Sequence, residues 1–282
     1  MRIVVFGQNG QLSKALQKKI NSTVVGSKQV NFLNPNEIVN FFKKNNKFDL
    51  IINTAAYNNV EKAEISKEKA YLINAEAPNQ LSKFAKMHSI PLIHFSTDYV
   101  FDGSGNDPWK TEDKTNPISE YGKSKVLGEK KIMQSGCKNI IIRTSWLFSN
   151  QEKNFVNRII KKSKEKDKIL VVGDQFSGPT YVGDLANFCE IIMSHIQSNN
   201  INYGIYHYSG YPYVSRFDFA KKILNQIKSS TKILEISSNN SKKFQIRPKN
   251  SRLDCKKNEK LFNVQMPSWE KSLKKILEPK SL

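Results

Sequence analysis

Ile3-Val4-Val5-Phe6-Gly7-Gln8-Asn9-Gly10-Gln11-Leu12-Ser13 is the stretch on which the fold turns. Four apolar residues run without a break, two glycines follow three apart, and a helical pattern then begins. An unbroken apolar run of strand length fits a strand covered on both faces, as in a parallel sheet. The same unit recurs along the first half of the chain. Strands are predicted at Ile3–Phe6, Thr23–Val25, Leu50–Ile52, Pro91–Phe95 and Asn139–Ile142. Between them, helices are predicted from Gln11 to Ile20, Asn34 to Lys44, Ser66 to His88 and Ser119 to Gln134. Strands joined by helix-length links give right-handed crossovers, and hence an α/β fold with a doubly wound parallel sheet.

After Phe148 the regularity fades. Helical stretches near 154–165, 183–197 and 217–227 surround the apolar run 169–172 and the turn-rich segment 173–179. Gly204 to Ser209 alternates like a strand, and Trp269 to Leu277 reads as an amphipathic final helix. The expected division is a nucleotide-binding Rossmann domain over 1–148 and a smaller substrate lobe over 149–282. Some segments of that lobe should return to the main sheet. The Lys/Asn/Ser-rich stretch 228–243 is expected to be a connecting loop or a flap.

Gly7 and Gly10 let the backbone turn sharply and approach a pyrophosphate. The helix that follows presents free N–H groups and the positive end of its dipole. The position of a third glycine is taken by Ser13, which predicts slightly wider helix–strand packing. No carboxylate follows the second strand, where one would bind the ribose 2′-hydroxyl. Lys28 stands there instead, either drawing a 2′-phosphate or simply solvated. The cofactor expectation is therefore NADPH, with NADH as the alternative.

Composition narrows the classes. The chain has 282 residues, with 45 Lys and Arg against 25 Asp and Glu, a net charge of +20. Such a charge suggests a polyanion, but six arginines among those cations are few for reading phosphates and bases. The lysines are scattered, as on solvated helix faces, so no nucleic-acid partner is expected. No apolar run approaches the roughly 18 residues needed to span a bilayer, so no membrane role is expected. Cys137, Cys189 and Cys255 lie far apart without metal-ligand spacing. They suit a cytoplasmic chain with reduced thiols.

The chemistry is concentrated between His94 and Glu129. Tyr121 and Lys125 lie four apart in a helix and so share one face. An ammonium beside a phenol stabilises the phenolate, which lowers the tyrosine pKa and readies it to exchange a proton with a substrate oxygen. Thr97 falls just past the fourth strand, where doubly wound sheets present ligand-binding groups. Its hydroxyl would bond the same oxygen. His94 and His207 lie in strand-like runs and read as structural.

These motifs resemble the extended short-chain dehydrogenase/reductases, and within them the dTDP-4-dehydrorhamnose reductase family. The resemblance covers nearly the whole chain. It rests on Gly7-x-x-Gly10-Gln11-Leu12, on Asn53-Thr54-Ala55-Ala56-Tyr57 with Val60-Glu61-Lys62-Ala63-Glu64, and on Asn74-Ala75. It continues through Ser96-Thr97-Asp98-Tyr99-Val100-Phe101-Asp102-Gly103, Tyr121-Gly122-Lys123-Ser124-Lys125 and Arg143-Thr144-Ser145-Trp146. Asp174-Gln175 with Gly178-Pro179-Thr180, and Arg247-Pro248 with Ser251-Arg252-Leu253, complete it.

The resemblance implies roles. Gly7, Gly10, Gln11 and Leu12 would hold the pyrophosphate, and Asn31 and Phe32 would lie by the adenine. Ala55, Ala56 and Tyr57 would line the cofactor channel. Thr97 and Asp98 would contact the sugar, with Trp146 packed on it or else plugging the lobe as a core aromatic. Tyr121 would donate the proton, and Lys125 would hold the nicotinamide ribose while tuning Tyr121. Arg247 has two open readings, a partner for the substrate diphosphate or a structural ion pair. The first helix begins Ser13-Lys14-Ala15 without a carboxylate, so no metal is expected, although a homodimer remains compatible.

The implied reaction is NAD(P)H-dependent reduction of the 4-keto group of dTDP-4-dehydro-L-rhamnose to dTDP-L-rhamnose, a cell-envelope sugar donor. Two alternatives accompany it. One is reduction of another nucleotide-linked keto sugar. The other is a non-catalytic regulatory subunit resembling the methionine adenosyltransferase beta subunit.

Overall fold

The computed structural model describes residues 1–45, 47–150, 153–240 and 246–278. Its centre is a six-stranded sheet built from β1 (Ile3–Phe6), β2 (Thr23–Val25), β3 (Leu50–Asn53), β4 (Leu92–Thr97), β5 (Asn139–Thr144) and β10 (Gly204–Tyr208). The strand order is β10-β5-β4-β3-β1-β2, and every pairing is parallel. The doubly wound sheet expected from the sequence is present.

Its apolar strands divide by alternation. Val5, Ile52, Ile93 and Ile142 face one core with Leu12 and Leu16 of α1 (Gln11–Gln17) and with α8 (Val182–Gln197). Val4, Phe6, Ile51 and Ile141 face the other, with α2 (Asn36–Lys44), α5 (Ala77–Met87) and Ile132 of α6 (Glu120–Gln134). Successive strand residues point to opposite faces, so covering both faces requires an unbroken apolar run.

The chain beyond Phe148 is shared between two cores. Helix α8, strand β10 and Phe262 of α10 (Lys256–Phe262) pack on the main sheet. A third core joins Phe148 of β6 (Leu147–Phe148), α7 (Phe155–Glu165), β7 (Lys168–Val172), α9 (Arg216–Gln226) and the amphipathic α11 (Trp269–Leu277). Short pairings tie this lobe together, β6 to β9 (Thr180–Tyr181) and β8 (Phe176–Ser177) to β11 (Val214–Ser215).

Two expectations need correction. Within 228–243, Lys232–Ile236 is a strand, β12, in parallel register with β7 from Lys232 opposite Lys168 to Ile236 opposite Val172. The polar flanks hid the short apolar set Ile233-Leu234 with Ile236, whose ladder lies on a strand distant in sequence. Positions 241–243 of that stretch lie outside the described residues. The expected helix from Ser66 to His88 is helical throughout 67–87 but is not α-helical throughout. Helices α3 (Val60–Ile65) and α4 (Lys67–Tyr71) lead into a π-helical turn, Leu72–Glu76, before α5. That turn buries Asn74 completely. Such turns gather at functional sites, where an extra residue redirects a side chain.

Candidate active site

The sheet reverses its winding between β1 and β3, and the crevice opens at their C-terminal ends, as doubly wound folds require. Gly7 closes β1 with φ +106, and a Cβ there would lie 2.6 Å from Thr54 Oγ1 and 2.8 Å from the Ala55 nitrogen. A side chain at position 7 would push the first turn off the β3 loop. Gly10 differs, since a Cβ there would meet only the Gly7 carbonyl, at 3.3 Å. Its missing side chain leaves space in the crevice instead.

That space belongs to a cavity of about 400 Å³ lined by Gly7, Gly10, Asn31, Phe32, Ala55 and Ala56, together with Gly26, Ser27 and other neighbours. No carboxylate is among the lining residues. The Glu37 carboxylate instead accepts from the Asn31 N–H at 2.8 Å, and Asn31 Oδ1 accepts from Leu33 N–H at 3.0 Å. Lys28 is exposed and outside the lining set. Leu12 has its side chain in the core, so its backbone alone faces the turn. Gln11 is tied across to the lobe, accepting from Ser149 Oγ at 2.6 Å and Asn154 Nδ2 at 3.1 Å. Ser13 is fully buried and accepts from Gln17 Nε2 at 3.2 Å. The glycine cradle, the acid-free lining and the adjacent helix start fit a dinucleotide.

Thr97 ends β4, and a 3₁₀ turn, Asp98–Val100, follows it. The Thr97 hydroxyl donates to Asp98 Oδ1 at 3.0 Å and is within hydrogen-bond reach of Tyr121. Helix α6 carries Tyr121 there because Gly122 permits a close approach. A Cβ on Gly122 would sit 2.2 Å from the Tyr99 carbonyl oxygen. Ser119 caps the helix, accepting from Gly122 N–H at 3.1 Å. The Tyr99 ring then packs edge-on against Tyr121, with centroids 5.9 Å apart.

Lys125 is buried one turn further on, at 1% exposure. Its Nζ donates to the Phe95 carbonyl at 2.7 Å and lies 3.2 Å from His94 Nε2. Burial pushes its pKa down to about 8, against the pull of Glu129. Burial raises Tyr121 above the usual phenol range, opposed by the Thr97 hydrogen bond. The expected depression of Tyr121 by Lys125 is therefore absent in this structure. The four-residue spacing does put both on one helical face, but the long lysine stem carries its nitrogen down to β4.

Asn74 holds this helix to the cofactor side. Its Oδ1 accepts from Tyr57 N–H at 2.8 Å, and its Nδ2 lies 3.0 Å from both the Tyr57 carbonyl and Ser124 Oγ of α6. The sequence marked Asn74 only as part of the Asn74-Ala75 motif.

On the far side of Thr97, burial pushes Asp98 up to about 6, opposed by hydrogen bonds from Ser251 and Thr97 and by the nearby Arg216 charge. Trp146 follows β5 with φ +42, a left-handed conformation that is strained for an aromatic residue. The Arg216 guanidinium stands 3.5 Å from its ring centroid and hydrogen-bonds Tyr99. Burial lowers Arg216 to about 10. No sequence motif points to Arg216, because its partners come from the segments that follow β4 and β5. Arg247 reaches Glu61 of α3 at 2.6 Å, closing one edge of the same cleft. His207 is structural in its contacts, with Nδ1 on the Trp109 carbonyl at 3.0 Å and Nε2 3.4 Å from Arg143 Nη1.

A parallel nucleotide-binding sheet whose fourth strand delivers a threonine to a tyrosine, with a lysine one turn on, defines an extended short-chain dehydrogenase/reductase. The family model described as the RmlD substrate binding domain matches residues 1–281. The dTDP-4-dehydrorhamnose reductase of Aggregatibacter actinomycetemcomitans is 35% identical, over 98% of each chain. The dTDP-4-dehydrorhamnose reductase of Clostridium acetobutylicum superposes with a TM-score of 0.90 at 32% identity, over 98% of both chains. That of Bacillus anthracis, solved in complex with NADP, gives 0.89 at 32% identity and the same coverage. The chain belongs to the RmlD family, that of the dTDP-4-dehydrorhamnose reductases.

Proposed function

We propose that this chain reduces the 4-keto group of dTDP-4-dehydro-L-rhamnose with NADPH, yielding dTDP-L-rhamnose. The observation that carries the reading is the meeting of Thr97 and Tyr121, with Lys125 one turn further along the same helix, in a chain that has an acid-free cavity at its glycine turn and matches such reductases end to end. A lining without carboxylates leaves a 2′-phosphate unopposed, which favours NADPH over NADH.

The bound nicotinamide supplies the hydride. The chain supplies binding, orientation and proton transfer. Gly7, Gly10, Gln11 and Leu12 turn the backbone toward the pyrophosphate, Asn31 and Phe32 flank the adenine, and Ala55, Ala56 and Tyr57 line the channel. Thr97 donates a hydrogen bond to the sugar's keto oxygen, and Tyr121 delivers its proton there as charge develops. A raised phenol pKa keeps that proton on Tyr121 until the oxygen turns basic. Asp98 and Trp146 hold the sugar, and Lys125 holds the nicotinamide ribose. Arg247 gives the cleft a cation for the nucleotide's phosphates, exchanging Glu61 for them.

The test is NADPH oxidation with dTDP-4-dehydro-L-rhamnose, followed by product analysis. Wild type should turn over, and Tyr121→Phe should lose a factor of about 10² or more. Full activity in Tyr121→Phe would remove the acid assignment. Cofactor binding without turnover would favour a regulatory subunit.

A further inference from the structure

His94 takes no part in the mechanism above, yet it is completely buried and touches Lys125. Its hydrogen bonds have a readable direction. The Ala55 N–H donates to Asn53 Oδ1 at 3.1 Å, which fixes the Asn53 amide. Asn53 Nδ2 then faces His94 Nδ1 at 3.0 Å and must donate to it. A ring that accepts at Nδ1 carries its proton on Nε2. That N–H points at Lys125 Nζ, 3.2 Å away. An ammonium has no lone pair to receive it, whereas a neutral amine does. The amine's own hydrogen goes to the Phe95 carbonyl, at 2.7 Å.

We infer that His94 is a positioning residue that docks Lys125 on β4 as a neutral amine at alkaline pH, so that binding the dinucleotide there draws one proton from solvent onto Lys125. The step balances as amine plus solvated proton giving ammonium. Bound cofactor would supply the ribose oxygens and the phosphate charge that favour the ammonium. Burial holds His94 well below the usual histidine range and Lys125 near 8, in the same sense. The other ionisable groups facing this pair are few. Glu129 on α6 favours the ammonium, but its carboxylate is held by Arg143 of β5 at 2.7 Å. Tyr121, one turn before Lys125, stays protonated through this range.

The inference rests on the dinucleotide reading, and the experiment separates the two. NADPH is titrated calorimetrically into the full chain at pH 9 in two buffers of different protonation heat. At that pH the cofactor's own phosphates are fully ionised. Close to one proton should be taken up per site at pH 9 and almost none at pH 6.5. The sign follows from a pKa that is higher bound than free, so affinity weakens above about pH 8, by up to about tenfold per pH unit.

His94→Gln offers Lys125 a carbonyl acceptor and should abolish the uptake at pH 9, moving the break in affinity to higher pH. Histidine ¹⁵N spectra of the cofactor-free wild type at pH 9, above the Lys125 value of about 8, give a readout that needs no variant, and should show His94 protonated on Nε2. Binding without proton uptake, an Nδ1–H tautomer, or a folded His94→Gln that keeps the wild-type uptake would each overturn the inference. Failure of NADPH to bind at any pH would remove the dinucleotide reading and this inference with it.

Discussion

Asp98 illustrates how a cleft residue can work against the fold. Its carboxylate is 2% exposed, and burial raises its pKa from the ordinary carboxylate range to about 6. A raised folded-state value means that the folded protein binds the proton more tightly than the unfolded chain does. The stability from this group is thus full below about pH 4 and is lost as pH rises to about 6. The loss is about 3 kcal/mol at most, at 1.36 kcal/mol per pKa unit. Asp98→Asn should therefore raise Tm at pH 8 and leave it unchanged near pH 3.5. An equal or lower Tm at pH 8 would show that the ionised carboxylate is fully compensated. Arg216 makes the complementary case at the same scale. Stacked on Trp146 and bonded to Tyr99, it places a cation in the cleft that the proposed diphosphate sugar would engage. Arg216→Met should raise KM for the nucleotide sugar at least tenfold, in line with a charged hydrogen bond of about 1.5–3 kcal/mol. The KM for NADPH should stay near its wild-type value. Tyr121 and Lys125 were legible from their four-residue spacing. Arg216 was not, because no local pattern links it to Trp146.

Among the elements, α6 matters most, since it carries Tyr121 and Lys125 along one side. Its other anchor is Glu129, which receives Arg143 of β5 through two nitrogens, Nε at 3.0 Å and Nη2 at 2.7 Å. Both side chains are almost fully buried. Removing one partner leaves an uncompensated charge inside, which typically costs about 3–5 kcal/mol. Glu129→Ala should lose that much in urea unfolding, and Glu129→Leu with Arg143→Met should lose less than the single change. A loss below about 1 kcal/mol for the single change would mean that water reaches Arg143. The Arg143 motif and the helix from Ser119 to Gln134 were both visible in the sequence, but the pairing of Arg143 with Glu129 was not. The same distinction explains β12. Its three apolar residues sit in a five-residue segment inside a polar stretch, and the presence of β7 alongside makes it a strand. The π turn at Asn74 escaped detection for a related reason, because its five residues are too few for a shift in apolar phase to stand out.

For the molecule as a whole, charge and chain sharing are the relevant quantities. A net charge of +20 surrounds a cleft proposed to take two polyanions. A positive field speeds capture of anions and is screened by salt. Raising ionic strength from about 0.01 M to about 0.1 M shortens the Debye length from about 30 Å to about 10 Å. kcat/KM for NADPH should fall several-fold over that range while kcat stays level. A flat profile would assign the lysines to solvation alone. The three cysteines are buried and unpaired. No helix among the described residues is long and apolar enough to cross a membrane. Chain sharing is set by β10 and α8, which leave the C-terminal half to complete the main sheet and its cover.

The sequence by itself determined the parallel sheet, the glycine turn and the phase of Tyr121 against Lys125. These depend on spacing along the chain, through the two-residue repeat of a strand and the 3.6-residue repeat of a helix. Tertiary structure alone decided that Lys125 rests on His94 and Phe95, that Arg216 covers Trp146, and that Arg247 meets Glu61. Each of these joins residues from different elements. Such contacts follow from how strands and helices are laid side by side, which no local repeat encodes.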